Sequence, residues 1–366
     1  MMRFPVTRIS LMLLLTLRIN AAGRSHLEAV ENGLLPPVII QGRPIQHASI
    51  EERMKALNVR GVSIAVINNY EIEWAKGHGF ADLESKRPVE TTTLFQAGSI
   101  SKPVAAVAAM KMVEEGNLAL DQNINAFLTT WKVQDSEFTK EKKVTLREIL
   151  SHSAGLTVHG FPGYAAGESL PTLVQVLNGV KPANTPAVRV DVVPGSLGRY
   201  SGGGYTIMQL AMVDVSGKPF PEIMWDVVLS RAGMRNSTYE NPLPSRLSGI
   251  AASGYRRDGT PVPGRYHTYP EMAAAGLWTT ASSLARLGIE IQKSREGRSN
   301  RILKQTSIRE MLTEQKKPFG LGFALAPNWF SHDGADEGFQ ALFGCSLNGK
   351  GPRGPDELGQ RTASGT

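Results

Sequence analysis

The chain has 366 residues, 41% of them hydrophobic, which is enough to bury a large core in one to three domains. Its net charge of +7 is mixed along the chain, not gathered into the basic stripe that a nucleic-acid binder carries, so nucleic acid is not expected as a partner. The only cysteine, Cys345, excludes a disulfide framework and a cysteine-based metal site, and the seven histidines show no H-E-x-x-H spacing. No metal or cofactor is called for.

The N-terminus has the pattern of a secretory signal over residues 1–22. Arg3 and Arg8 give a positive start, Ile9 to Leu17 is mostly apolar, and Asn20-Ala21-Ala22-Gly23 offers small residues for cleavage. Arg18, just after the apolar core, is unusual for such a segment. This nine-residue segment is too short to span a bilayer, and no cysteine follows it for a lipid anchor. A periplasmic or secreted protein is expected, with residues 23–44 as a linker.

Helices are predicted over Leu27 to Asn32 and Glu51 to Leu57. The β-branched run Gly61 to Ile67 reads as a strand, Asn68-Asn69 as a turn, and Glu71 to Lys76 as the returning strand, extended by Gly77 to Ala81. Thr91 to Phe95 reads as extended chain. The stretch after Ser99 is apolar nearly all round, which means a buried helix, ended by Gly116. Pro103 must lie in its first turn, where the missing N–H costs nothing. A mainly helical block with long loops is expected over about 145–270, with helices at Val144 to Leu150, Tyr205 to Val215 and Pro221 to Leu229. Thr280 to Lys293 is a further helix with a Ser/Thr cap, and Phe319 to Leu325 and Phe339 to Phe343 read as strands. Strands, a helical block, then strands again suit an α/β domain with a helical insertion. No internal repeat is present.

Three stretches carry chemistry. In Gly98-Ser99-Ile100-Ser101-Lys102, residues three apart lie on one helix face, so the Ser99 hydroxyl and the Lys102 amine converge. A lysine shielded from water can shed its proton near neutral pH and activate a serine for covalent acyl transfer. An S-x-x-K match alone arises often by chance. The second stretch is Pro194 to Tyr205, a glycine-rich loop in which Tyr200 stands at the edge. A tyrosine beside a cationic lysine is expected to have a lowered pKa and to serve as a general base. Read alone, it is a tyrosine half-buried in a loop. The third is Phe330 to Ala335, with His332 placed to stabilise an anionic substrate or the tyrosine hydroxyl; read alone, it is an exposed turn.

In this order, Ser99-x-x-Lys102, Tyr200-Ser201-Gly202 and His332-Asp333-Gly334 resemble the three motifs of the serine β-lactamase-related hydrolases. That group holds the class C β-lactamases, D-Ala-D-Ala carboxypeptidases and family VIII esterases. Ile149 to Leu156, Ala232 to Thr238 and Ala275 to Thr280 are similar to other segments of the group, and the resemblance covers roughly residues 45–343. It implies a β-lactamase/transpeptidase-like α/β fold, with an antiparallel sheet flanked by helices and a helical insertion. It implies an ester, a β-lactam or a short peptide as substrate. Ser99 would be the acylated nucleophile, and Lys102 and Tyr200 would share the proton transfer. The N–H groups of Ser99 and Ala335 would form the oxyanion hole beside Gly334, and His332 would replace the usual lysine.

Two departures stand out. The second motif often reads Y-x-N, but the third position here is Gly202, so the amide that would touch substrate is absent and simple esters are favoured. The chain also turns after Phe343 into residues 344–366, which include six glycines and two prolines. That composition reads as a disordered, atypical tail where the family places a further strand and helix, and low stability is expected from it. Two other readings compete: a non-catalytic or truncated relative, and an α/β-hydrolase elbow at Ser151-His152-Ser153-Ala154-Gly155, which lacks the first glycine.

Overall fold

The computed structural model describes residues 21–351 except Pro37 and Gln41, with side chains from His26 onward. The segment read as a signal, up to residue 20, lies outside the described residues. Helices α1 (Ala21–Asn32) and α2 (Ile50–Ala56) come first, and α2 is fixed at its start by a reciprocal Ser49–Glu52 capping box. Strands β1 (Gly61–Asn68) and β2 (Glu71–Asp82) form the expected hairpin, and β3 (Arg87–Pro88) completes a three-stranded antiparallel sheet in the order β1-β2-β3. The turn lies one residue later than predicted, on Asn69 and Tyr70, both with positive φ.

The extended run before the serine narrows to β4 (Phe95–Gln96) and leads through a single 3₁₀ turn, Gly98–Ile100, into α3 (Ser101–Glu114). Ser101 to Met110 are all buried, which is why this helix has no polar face. The helical stretch follows: α4 (Leu146–Leu150), α5 (Leu173–Asn178), α6 (Gly202–Ser216), α7 (Phe220–Met224) with a π-helical continuation over Trp225–Leu229, and α8 (Ser245–Ser248). Short α9 (Met272–Ala275) precedes β5 (Trp278–Thr279), which pairs with β4. Then come α10 (Ala281–Arg295), capped by Thr280, and α11 (Gln305–Met311).

The last sheet is antiparallel, in the order β6 (Ala324–Ala326), β7 (Trp329–Asp336), β8 (Phe339–Ser346). The strand expected over Phe319 to Leu325 shrinks to β6. The reason is close packing: a Cβ on Gly322, whose φ is +91°, would lie 2.5 Å from the Ala106 Cβ on α3, and one on Gly320 would lie 2.2 Å from the Met311 carbonyl. These residues bend to fit helices and cannot run straight.

The reading of the tail needs a correction. β8 does not stop at Phe343 but continues through Gly344 to Ser346, and Cys345 is buried. Its packing partner is α10: a Cβ on Gly288 would meet Cys345 Sγ at 2.5 Å and Ile67 Cδ1 of β1 at 3.2 Å. Helix α10 therefore supports both sheets, although no ladder joins β1 to β8 among the described residues. The N–H of Gly351 then reaches the Asn68 side chain at the end of β1. Residues 352–366, most of the segment read as a tail, lie outside the described residues.

Candidate active site

The S-x-x-K stretch folds as its spacing predicts. Gly98 adopts φ +52° and lets the chain turn from β4 into α3. Ser99 lies in the 3₁₀ turn, and the Lys102 ammonium donates to Ser99 Oγ at 2.9 Å and to the Ala274 carbonyl at 2.8 Å. Ser101, on the opposite face, stitches the turn down. Its hydroxyl donates to the Gly98 carbonyl and accepts from the Leu277 N–H, while its own carbonyl accepts from the Tyr239 hydroxyl. Lys102 is 1% exposed, and loss of hydration lowers its pKa to about 7 against the pull of Asp336 and Asp333.

Tyr200 comes from the glycine-rich loop just ahead of α6. Its ring lies under the Lys102 ammonium, 4.9 Å from nitrogen to centroid, and its hydroxyl shares a hydrogen bond with Ser99. The expected lowering of its pKa is reversed: burial pushes the phenol well above its ordinary value, and the Ser99 bond only partly offsets this. The neighbouring lysine is itself poised to be neutral, so it offers little positive charge to hold a phenolate.

His332 is the inward-facing residue of β7, buried, with its ring centroid 5.9 Å from that of Tyr200. Burial first, then the charge of Lys102, lower its pKa to about 4, so the ring is neutral near pH 7. It cannot supply the cation expected for an anionic substrate. The reading of this stretch as an exposed turn also fails, because His332 to Ala335 lie within the β7–β8 ladder.

The β7 backbone presses against the serine turn. A Cβ on Gly334 would sit 2.0 Å from the Ala97 carbonyl and 3.0 Å from Ser99 N, and a Cβ on Gly98 would sit 2.6 Å from Ala335 N. Only glycines permit this approach, which sets the Ser99 and Ala335 amides beside each other. Gly202 is the first residue of α6, behind its N-cap Ser201.

Sequence reasoning did not assign a role in the site to His152, His159, Phe161 or Ala274. His152 stacks on Tyr200 with centroids 4.2 Å apart. Its carbonyl accepts from the Arg199 N–H and its Nδ1 from the Ser201 N–H, so it clamps the chain on both sides of the tyrosine. It does so at φ +54°, a strained value for a histidine. The only available signal was its place in the Ile149 to Leu156 segment. The elbow reading of that segment does not fit: Ser153 is buried, bonded to the Ser151 hydroxyl, and follows a helix instead of a strand.

An S-x-x-K pair at a helix start with its lysine buried, a tyrosine over that lysine and a glycine-lined strand across from the serine define the serine β-lactamase/transpeptidase class. The family model described as Beta-lactamase matches residues 47–347, and the chain belongs to that family. It is 26% identical to esterase EstB of Burkholderia gladioli over 59% of this chain and 57% of that protein. It is 25% identical to a β-lactamase of Pseudomonas fluorescens over 66% of this chain and 62% of that protein. The chain thus spans less than two thirds of the length of either relative. Among solved structures, the octameric penicillin-binding protein homologue from Pyrococcus abyssi superposes with a TM-score of 0.67 at 25% identity, covering 82% of this chain and 70% of that one.

Proposed function

We propose that this protein is a serine hydrolase that forms an acyl-enzyme on Ser99 and acts on small carboxylic esters. The observation that carries the reading is the 2.9 Å contact between Ser99 Oγ and a fully buried Lys102 whose pKa lies near 7. Near neutral pH a substantial fraction of Lys102 is the free amine. In that form it takes the Ser99 proton as Oγ attacks the ester carbonyl. The negative charge that develops on the carbonyl oxygen is met by the N–H groups of Ser99 and Ala335. The bond to the alcohol then breaks. Tyr200, held protonated by burial, donates its proton to the departing alkoxide and is reprotonated by Lys102. Water releases the acid by the same steps in reverse order. His332, being neutral, orients and packs the tyrosine ring instead of pairing with an anion. A periplasmic or secreted location is part of the proposal, on the strength of the apolar segment at residues 9–17.

The test is turnover of p-nitrophenyl acetate and butyrate, nitrocefin and D-amino-acid amides by purified protein and by Ser99→Ala. Ester turnover and fluorophosphonate labelling that vanish in Ser99→Ala are expected. Folded protein that neither turns over nor takes the label would favour the non-catalytic reading. Hydrolysis of nitrocefin faster than of esters would replace esters by β-lactams.

A further inference from the structure

We propose that Phe161 selects the acyl group: its ring fills the place that a polar side chain at position 202 would take, and it lines the site with an apolar wall suited to esters of short aliphatic acids. The inference rests on the serine-hydrolase reading and narrows its substrate.

Ser201 is extended, with φ −143° and ψ 115°, and leads from Tyr200 into α6 at Gly202. Ser201 turns to the Thr157 carbonyl, at 2.7 Å. Position 202 faces the same turn, 157–161, whose His159 ring lies 4.8 Å from the Tyr200 ring between centroids. A Cβ placed there would come within 2.9 Å of Phe161 Cε2 and 3.0 Å of the His159 carbonyl. The glycine is a steric requirement of the aromatic ring opposite it.

The ring's perch is firm. The Gly202 N–H donates to the His159 carbonyl at 2.9 Å and the Gly203 N–H to the Val158 carbonyl at 3.0 Å. Val158 holds φ +61° to make that turn. Around Tyr200 the same wall continues with the His159 ring at 4.8 Å and the Phe319 ring at 6.4 Å between centroids. Gly202 offers no side-chain amide to an acyl group that carries an amide next to the scissile carbonyl. A short alkyl chain buries itself against Phe161.

The experiment measures kcat/KM for p-nitrophenyl butyrate and octanoate in wild type, Phe161→Ala and Phe161→Leu. Wild type should prefer butyrate. In Phe161→Ala the octanoate-to-butyrate ratio should rise at least about tenfold, as the short chain loses its contact and the long chain gains room. Phe161→Leu, which keeps an apolar side chain, should fall between the two and covers the case in which the alanine variant does not fold. A ratio within about twofold of wild type in both folded variants would overturn the assignment. Absence of Ser99-dependent turnover of p-nitrophenyl acetate by wild type would instead remove the hydrolase reading itself, and this inference with it.

Discussion

Helices α3 and α6 bury every residue from Ser101 to Met110 and from Gly202 to Met212, whereas every residue of β1 is only half-buried and Leu342 on β8 is 62% exposed. The two regions contribute to the site in different ways. The helical region supplies side chains whose chemistry depends on exclusion of water: Lys102 sheds its proton near pH 7 because its charge is poorly hydrated there. The sheet region supplies the buried His332 ring and, through the glycine-permitted contact of Gly334 and Ala335 with the serine turn, backbone. A backbone edge needs correct position more than dryness, so a sheet with unpaired, partly exposed edges can provide it.

The sharpest break of this contrast is Lys102→Met. Turnover of p-nitrophenyl acetate should fall at least about a thousandfold, since the base is gone. Stability should move the other way. The folded Lys102 titrates near 7 and the unfolded one near 10.5, so the unfolded chain holds the extra proton between those values and wild-type stability rises with pH across that window. Below pH 7 the full penalty of burying the ammonium is present. The variant should therefore gain about 1–3 kcal/mol on wild type at pH 6, and less at pH 10, in urea unfolding. In wild type, kcat/KM should rise about tenfold per pH unit below 7 and level off above it.

Gly334→Ala tests the sheet's share. Its Cβ would lie 2.0 Å from the Ala97 carbonyl, so β7 must move away from Ser99. A loss of at least about a hundredfold in kcat/KM is expected, with butyrate and acetate affected alike. Ile207→Ala in α6, fully buried, should cost about 2–4 kcal/mol in chemical unfolding, against under about 1 kcal/mol for Val62→Ala in β1. Comparable costs at the two sites would mean that the described edges of β1 are covered in solution. The smallest effect belongs to Leu342→Thr, exposed on β8, which should shift stability by no more than about 0.5 kcal/mol and leave kcat/KM unchanged.

How much was legible depended on the distance along the chain. The β1–β2 hairpin, α3 and α10 were readable from local pattern, because each is built from contiguous residues with caps, turns or unbroken apolarity. The Ser99–Lys102 contact was readable for the same reason: three residues of helix bring the groups together. Phe319 to Phe323 was misread as strand because its glycines, Gly320 and Gly322, sit hard against α11 and α3, which no local pattern reveals. Gly344 to Ser346 was misread as tail because Gly344 makes room for the Trp329 ring of β7 and Cys345 packs on Gly288 of α10, contacts that no local pattern reveals.

The sequence by itself determined the family, the pairing of Ser99 with Lys102, and the order of the three motifs, since these rest on residue identity and short spacing. Only the tertiary structure decided the electrical state of the site. Tyr200 is raised instead of lowered, His332 is neutral, and Lys102 is poised near 7, each because of what surrounds it after folding. The stacking of His152 on Tyr200 and the place of Phe161 beside Gly202 were likewise decided in three dimensions. Stacking and the space beside a glycine are properties of neighbours brought together across some 40 to 130 residues of chain, and no single stretch encodes them.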